Sequence, residues 1–280
     1  MAQTVKVFIS FDLEGVTIVS SWREMKKDAP SFGDIRKCGT EEVSAAIRGI
    51  HHASRGRCEI VVCDAHAMGE NLIIDALPKG IHTVRGSPRE FYMVEGIDES
   101  FDLLFCIGYH AMAGTLRAGM DHTYSSSLLY SVKINGVFVG ETEINAGLAG
   151  HYGVPLGLVT GDDQLIKEVH KFFGDDLETV ITKHGISRFS MMCRHPADVQ
   201  AEIEKKAARA VENIDRYKPF TFKEPIQAEF EVTSSLIGDL VAPIPGIKRT
   251  SARTLSVTTK TILDFYRMMR LMCSTGSGQA

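Results

Sequence analysis

The residues that most restrict this chain are the run Val5-Lys6-Val7-Phe8-Ile9 and the Ser10-Phe11-Asp12-Leu13-Glu14-Gly15 that follows it. The run is apolar and β-branched, the pattern of a buried strand in an α/β sheet. Side chains two residues apart on a strand share a face, so Asp12 and Glu14 project together from its carboxyl end. Ligands of open α/β sheets bind at that end. Two carboxylates so close repel unless a cation or a shared proton relieves them. Taken alone, the pair fits a solvated strand end with Asp12 as a cap as well as it fits a site.

Two further apolar runs repeat the pattern. Cys58–Cys63 ends in Asp64-Ala65-His66, and Phe101–Ile107 ends in Gly108-Tyr109-His110. Three strand tips within the first 110 residues thus deliver metal-capable side chains, in a protein with only 10 histidines. A hairpin is expected from Leu128–Ile134 and Val137–Val139 around Asn135-Gly136, a strong two-residue turn, and it leads into Gly140-Glu141. His51 and His52 lie on a helix expected to start at Thr40. Adjacent helix positions face different ways, so they read as surface histidines.

Asp12, Glu14, His66, His110 and Glu141 make five hard or borderline donors. A single zinc takes three or four protein ligands. Five, with one carboxylate shared, suit two ions about 3.5–4 Å apart, and such pairs activate water and polarise carbonyl or phosphoryl oxygens. Asp12, at the first strand's tip, is the natural bridge. Mixed carboxylate and imidazole ligation favours zinc, with manganese or cobalt as alternatives. His122, on a loop beyond His110, is assigned to chemistry rather than ligation: oxyanion donor, proton shuttle or nucleophile. Asp64 either orients a ligand or caps the following turn.

The expected fold class is α/β, a three-layer domain with mainly parallel strands over residues 1–183. A smaller α+β domain follows over 184–273, then a disordered tail over 274–280. The second unit rests on a long amphipathic helix from Pro196 to Arg216, an alternating strand Gln227–Thr233, a strand Arg253–Thr259 and a closing helix Thr261–Cys273. A net charge of −4 carries no nucleic-acid footprint, and no apolar run reaches the roughly 18 residues of a membrane span. The six cysteines form no CxxC pair and read as reduced thiols of a cytoplasmic protein.

The assembled motifs resemble the M55 metallopeptidases, the D-aminopeptidases of the dipeptide-permease operon type. They are Phe11-Asp12-Leu13-Glu14-Gly15, Cys63-Asp64-Ala65-His66, Met93-Val94-Glu95-Gly96, Gly108-Tyr109-His110-Ala111, His122, Val139-Gly140-Glu141 with Asn145 and Ala146, and Thr160-Gly161-Asp162-Asp163. The resemblance implies a dinuclear zinc aminopeptidase acting on short peptides, with two Zn2+ per subunit. It implies Asp12 as the bridge, Glu14 and His110 on one ion, His66 and Glu141 on the other, and His122 as the active-site nucleophile. It also implies a ring-shaped homodecamer and a preference for an N-terminal D-residue. Glu143 departs from the pattern by adding a second acid beside Glu141. The same donors suit a two-metal phosphoesterase, or a non-catalytic peptide-binding assembly protein.

Overall fold

The computed structural model describes residues 4–276. Its elements run β1 (Val5–Phe11), α1 (Phe32–Ser54), β2 (Cys58–Asp64), β3 (His82–Val84), β4 (Leu103–Tyr109), β5 (Leu129–Ile134), β6 (Val137–Phe138), α2 (Glu141–His151) and β7 (Leu156–Asp162). They continue as α3 (Asp163–Phe173), β8 (Glu178–Ser187), β9 (Ser190–Cys193), α4 (Pro196–Glu212), β10 (Ile226–Val232), α5 (Ser235–Val241), β11 (Lys248–Arg249), β12 (Thr254–Thr259) and α6 (Ile262–Gly276).

Two sheets form, ordered β3-β2-β1-β4-β7-β8-β9 and β11-β12-β10-β5-β6. In the first, every pair is parallel except β8–β9. From β1 the chain builds outward through β2 and β3, then returns to place β4 on the other side of β1. The gap between β1 and β4 is therefore the topological switch point, where open α/β sheets hold their ligands. Side chains alternate along β1. Val7, Ile9 and Phe11 enter the core that α1 and α4 cover, while Phe8 enters the core shared with α2, α6 and the second sheet. Full burial of each such side chain stabilises by roughly 1.5–3 kcal/mol, and both faces of β1 collect it. Gly49 lets α1 press onto α4, since a Cβ there would meet Glu204 O at 2.2 Å.

The α/β class holds, but the chain is distributed differently from the expected division. Residues 183/184 fall inside β8, a strand of the first sheet. α4 lies beyond that point yet packs on α1, and β5 and β6 from the earlier half pair into the second sheet through β10. The reason is pairing: β8 completes a parallel ladder with β7, while the hairpin's free edge is satisfied by β10. Of the tail expected over 274–280, Ser274 to Gly276 continue α6, and 277–280 lie outside the described residues.

Local differences have local causes. α1 begins at Phe32, eight residues before Thr40, which is not a cap: its hydroxyl donates to Arg36 O one turn back. The hairpin turn is as expected, with Asn135 and Gly136 both at positive φ (51° and 82°). Glu141 is the first residue of α2 rather than a strand end. No helix among the described residues is long and apolar enough to cross a membrane.

Candidate metal centre

The switch point brings all six predicted side chains together. β1 ends at Phe11, in register with Asp64 of β2 and Ile107 of β4. The three strand tips therefore finish level, with Asp12 and Glu14, His66 and His110 just beyond them. Glu141 arrives from the other side, on the first turn of α2, where the helix dipole favours a negative charge. His66 Nδ1 lies 3.2 Å from Asp12 Oδ1 and 2.8 Å from Glu14 Oε2. His110 Nε2 lies 3.4 Å from Asp12 Oδ2 and 3.3 Å from Glu141 Oε1. Asp12 thus stands between the two histidines. Ligand-capable atoms of Asp12, Glu14 and His110 lie within 4.8 Å of one another, as do those of His110, His122 and Glu141.

The orientation of each ring is fixed from behind. His110 Nδ1 is 3.0 Å from Ala111 O and His122 Nδ1 is 2.9 Å from Met120 O. A carbonyl only accepts, so both Nδ1 atoms carry a proton and both Nε2 atoms face the centre. The two rings stack, with centroids 4.0 Å apart and planes 11° from parallel. His122 Nε2 stands 3.8 Å from both Glu14 Oε1 and Glu141 Oε1. Glu14 Oε1 also accepts from the Trp22 indole at 3.1 Å, and Glu141 Oε1 from the Tyr124 N–H at 2.6 Å.

Three buried polar atoms at the middle have no hydrogen bond among the described residues: Asp12 Oδ2, Glu14 Oε2 and His110 Nε2. Buried polar groups are normally satisfied, and these three are all metal donors. Burial raises Asp12 to about 7, helped by the neighbouring Glu14 charge. Burial also opposes charge on His110 and His66. The surrounding carboxylates overcome it, lifting His110 to about 10 (Glu141 foremost) and His66 well above its ordinary value (Glu14 foremost). Without a cation, protons on the imidazoles do the cation's work. His122 goes the other way: burial and the charge on His110 lower it, so it is neutral at pH 7. The donor set of buried carboxylates and imidazoles fits zinc.

The glycines explain how close the strand tips come. A Cβ on Gly15 would meet Tyr109 O at 1.9 Å, and one on Gly108, whose φ is +74°, would meet Asp12 O at 2.3 Å. Asp64 does not enter the centre. It accepts from Asn71 N (2.6 Å), Asn71 Nδ2 (2.7 Å) and Leu72 N (2.9 Å), closing the loop that presents His66.

Above the centre a cavity of about 540 Å3 is lined by Asp12, Glu14, His66, His122 and Glu141 on one side and by Tyr92, Arg89 and Arg270 among others. Trp22, Tyr92, Tyr124, Arg89 and Arg270 carry no local motif. Trp22 alone left a trace, as the only tryptophan of the chain, set in the polar stretch after β1.

The D-aminopeptidase model of the M55 peptidases matches residues 5–271. The chain belongs to the M55 peptidase family. Within that family it is 29% identical, over 272 residues covering 96% of each chain, to the D-aminopeptidase of Bacillus subtilis (strain 168). Among solved structures it is similar to the Zn-dependent D-aminopeptidase DppA from Bacillus subtilis, described as a self-compartmentalizing protease. The TM-score is 0.93 and the identity 28%, over 99% of both chains. The M55 resemblance read from the ordered motifs is thereby borne out.

Proposed function

We propose that this M55 protein is a dinuclear zinc aminopeptidase that removes the N-terminal residue of short peptides, D-residues included. The observation that carries the reading is the convergence of Asp12, Glu14, His66, His110 and Glu141 around three buried donor atoms that make no hydrogen bond among the described residues. The zinc dependence of the Bacillus relative supports it. Asp12 would bridge, with Glu14 and His110 on one ion and His66 and Glu141 on the other. The mutual closeness of Asp12, Glu14 and His110 supports the first set. Manganese or cobalt suits the same donors.

When bound, the ions supply a Lewis acid and water of lowered pKa. The protein's residues do the rest. His122, neutral with Nε2 free, accepts a proton at Nε2 and returns it to the leaving amine. Trp22 covers its ring edge-on at 5.5 Å and limits water there.

The test is metal content together with turnover on a panel of D- and L-dipeptides with added zinc, manganese or cobalt. Asp12→Ala and His66→Ala are expected to lose metal and activity together. A wild-type protein that holds no stoichiometric metal when purified without chelator would sink the reading.

Two coarser matters belong with it. The self-compartmentalizing description of the relative, and the exposed Leu116, Tyr130, Val137 and Phe138 on this chain, support a homodecameric ring. Cys38, Cys58, Cys63, Cys106 and Cys193 carry no disulfide, which supports a reducing, cytoplasmic setting.

A further inference from the structure

The cavity over the centre is lined by both signs of charge: the acids Asp12, Glu14 and Glu141, and the arginines Arg89 and Arg270. The two arginines are not equivalent. Arg89 is buried and both its Nη atoms are engaged: they donate to Asp64 O, to Ala65 O at 2.9 Å and to Ala67 O at 3.1 Å, which holds the loop bearing His66. Arg270 is half-buried on α6. No hydrogen bond or ion pair engages its guanidinium among the described residues. Arg267, three residues earlier, shows the ordinary fate of an arginine on this helix: it pairs with Glu90 at 2.6 Å and Asp264 at 3.6 Å.

Both cations reach the same region. Burial pushes the Tyr92 hydroxyl up to about 12, while Arg270 and Arg89 both act to lower it. The Tyr92 hydroxyl donates to Arg270 O at 3.4 Å, fixing that turn of α6 at the cavity wall. A half-buried guanidinium that lines a pocket and meets no carboxylate among the described residues is suited to a ligand carboxylate, which it can hold by two parallel hydrogen bonds.

We infer that Arg270 is the specificity residue for the free C-terminal carboxylate of the substrate, so that the enzyme acts on dipeptides and very short peptides with both termini free. This rests on the aminopeptidase reading and adds the far end of the substrate to it. A dipeptide with both termini free suits this lining: its amino-terminal end lies at the metal centre, and its carboxylate meets Arg270. The cavity size is that of a small-ligand pocket, not of an extended groove.

The test compares each dipeptide with its own C-terminal amide, in wild type and in Arg270→Gln and Arg270→Lys, with zinc added. A ratio measured on one preparation does not depend on the folded fraction. Wild type is expected to prefer the free acid by about tenfold or more in kcat/KM, chiefly through KM, the range of a charge-assisted pair. Arg270→Gln brings the acid-to-amide ratio towards one, and Arg270→Lys keeps part of it. Calorimetric binding of a dipeptide analogue with a reduced peptide bond, as acid and as amide, must show the same loss of preference. Equal use of acid and amide by wild type overturns the anchor and leaves the aminopeptidase standing, as does a ratio unchanged by Arg270→Gln. No turnover of either form by wild type overturns both.

Discussion

At the scale of single residues, the centre is a set of charges that folding has forced together, and its titration follows. In the proposed site His122 holds no metal. His122→Ala is therefore expected to lower kcat by about 10²–10⁴ while zinc content stays at the wild-type level. A variant that loses metal as well would make His122 a ligand instead. Metal-free protein offers a second check. Asp12, His66 and His110 all have raised folded values, to about 7 for Asp12 and about 10 for His110. A group raised on folding stabilises fully below its unfolded value, and that stability is lost as pH rises through the folded value. The metal-free protein should thus lose melting temperature from about pH 4 to pH 7 through Asp12 and from about pH 6.5 to pH 10 through the histidines, and zinc should abolish the slope. Zinc uptake at pH 8 should release protons, visible with an indicator dye. A flat apo profile over that window would contradict the charge arrangement. At this scale the sequence was most legible for groups announced by a strand tip, namely Asp12, Glu14, His66 and His110. Arg270 was not legible, because a cavity wall formed by a distant helix leaves no spacing in the chain.

At the scale of elements, the loop after β1 is held by β8. Lys183 is buried, and its Nζ donates to Glu14 O (2.5 Å), Val16 O (2.8 Å) and Val19 O (2.6 Å). Thr182 Oγ1 adds a bond to Gly15 O at 2.6 Å. Burial lowers Lys183 to about 8, opposed by Asp162 and by the acids Glu42 and Glu14. Lys183→Met would strand three buried carbonyls, each costing about 1–3 kcal/mol. A loss of about 3 kcal/mol or more in urea unfolding is expected, with weakened zinc affinity through displaced Glu14. Gly15→Ala should act in the same direction, since its Cβ would overlap Tyr109 O. A Lys183→Met protein as stable as wild type would remove the lysine from this role. The parallel strands β1, β2 and β4 showed in the sequence because burial on both faces makes continuous apolar runs. β8 and β9 did not. β8 mixes Thr, Lys and His with its apolar residues, and its polar side chains are buried by the loop they hold, a pairing that no local pattern encodes.

At the scale of the whole molecule, the two sheets share strands from both halves of the chain. Sequence texture marks changes in local pattern, and long-range pairing crosses them, so the boundary near residue 183 was visible as texture but not as architecture. The assembly prediction belongs here. Light scattering coupled to size exclusion should give ten copies of the 30.8 kDa chain. Charged replacements at Val137 and Phe138, both about half exposed, should shift it to smaller species if that apolar patch lies between subunits. A monomer at micromolar concentration would contradict the ring.

The closing helix α6 brings Tyr266, whose hydroxyl donates to Asn145 Oδ1 at 2.7 Å and accepts from Tyr124 at 2.9 Å, and Arg270 lies on the same helix. During synthesis the five proposed ligand residues emerge by residue 141, yet the strand β10 that pairs with β5 and the helix that walls the cavity begin only at Ile226 and Ile262. Chains emerge from the ribosome at about 5–20 residues per second. A nascent chain therefore carries a metal-avid cluster for several seconds before it has a pocket. The order of events that suits this topology is closure first and metal second, with protons easing the repulsion among the carboxylates until the last helix docks.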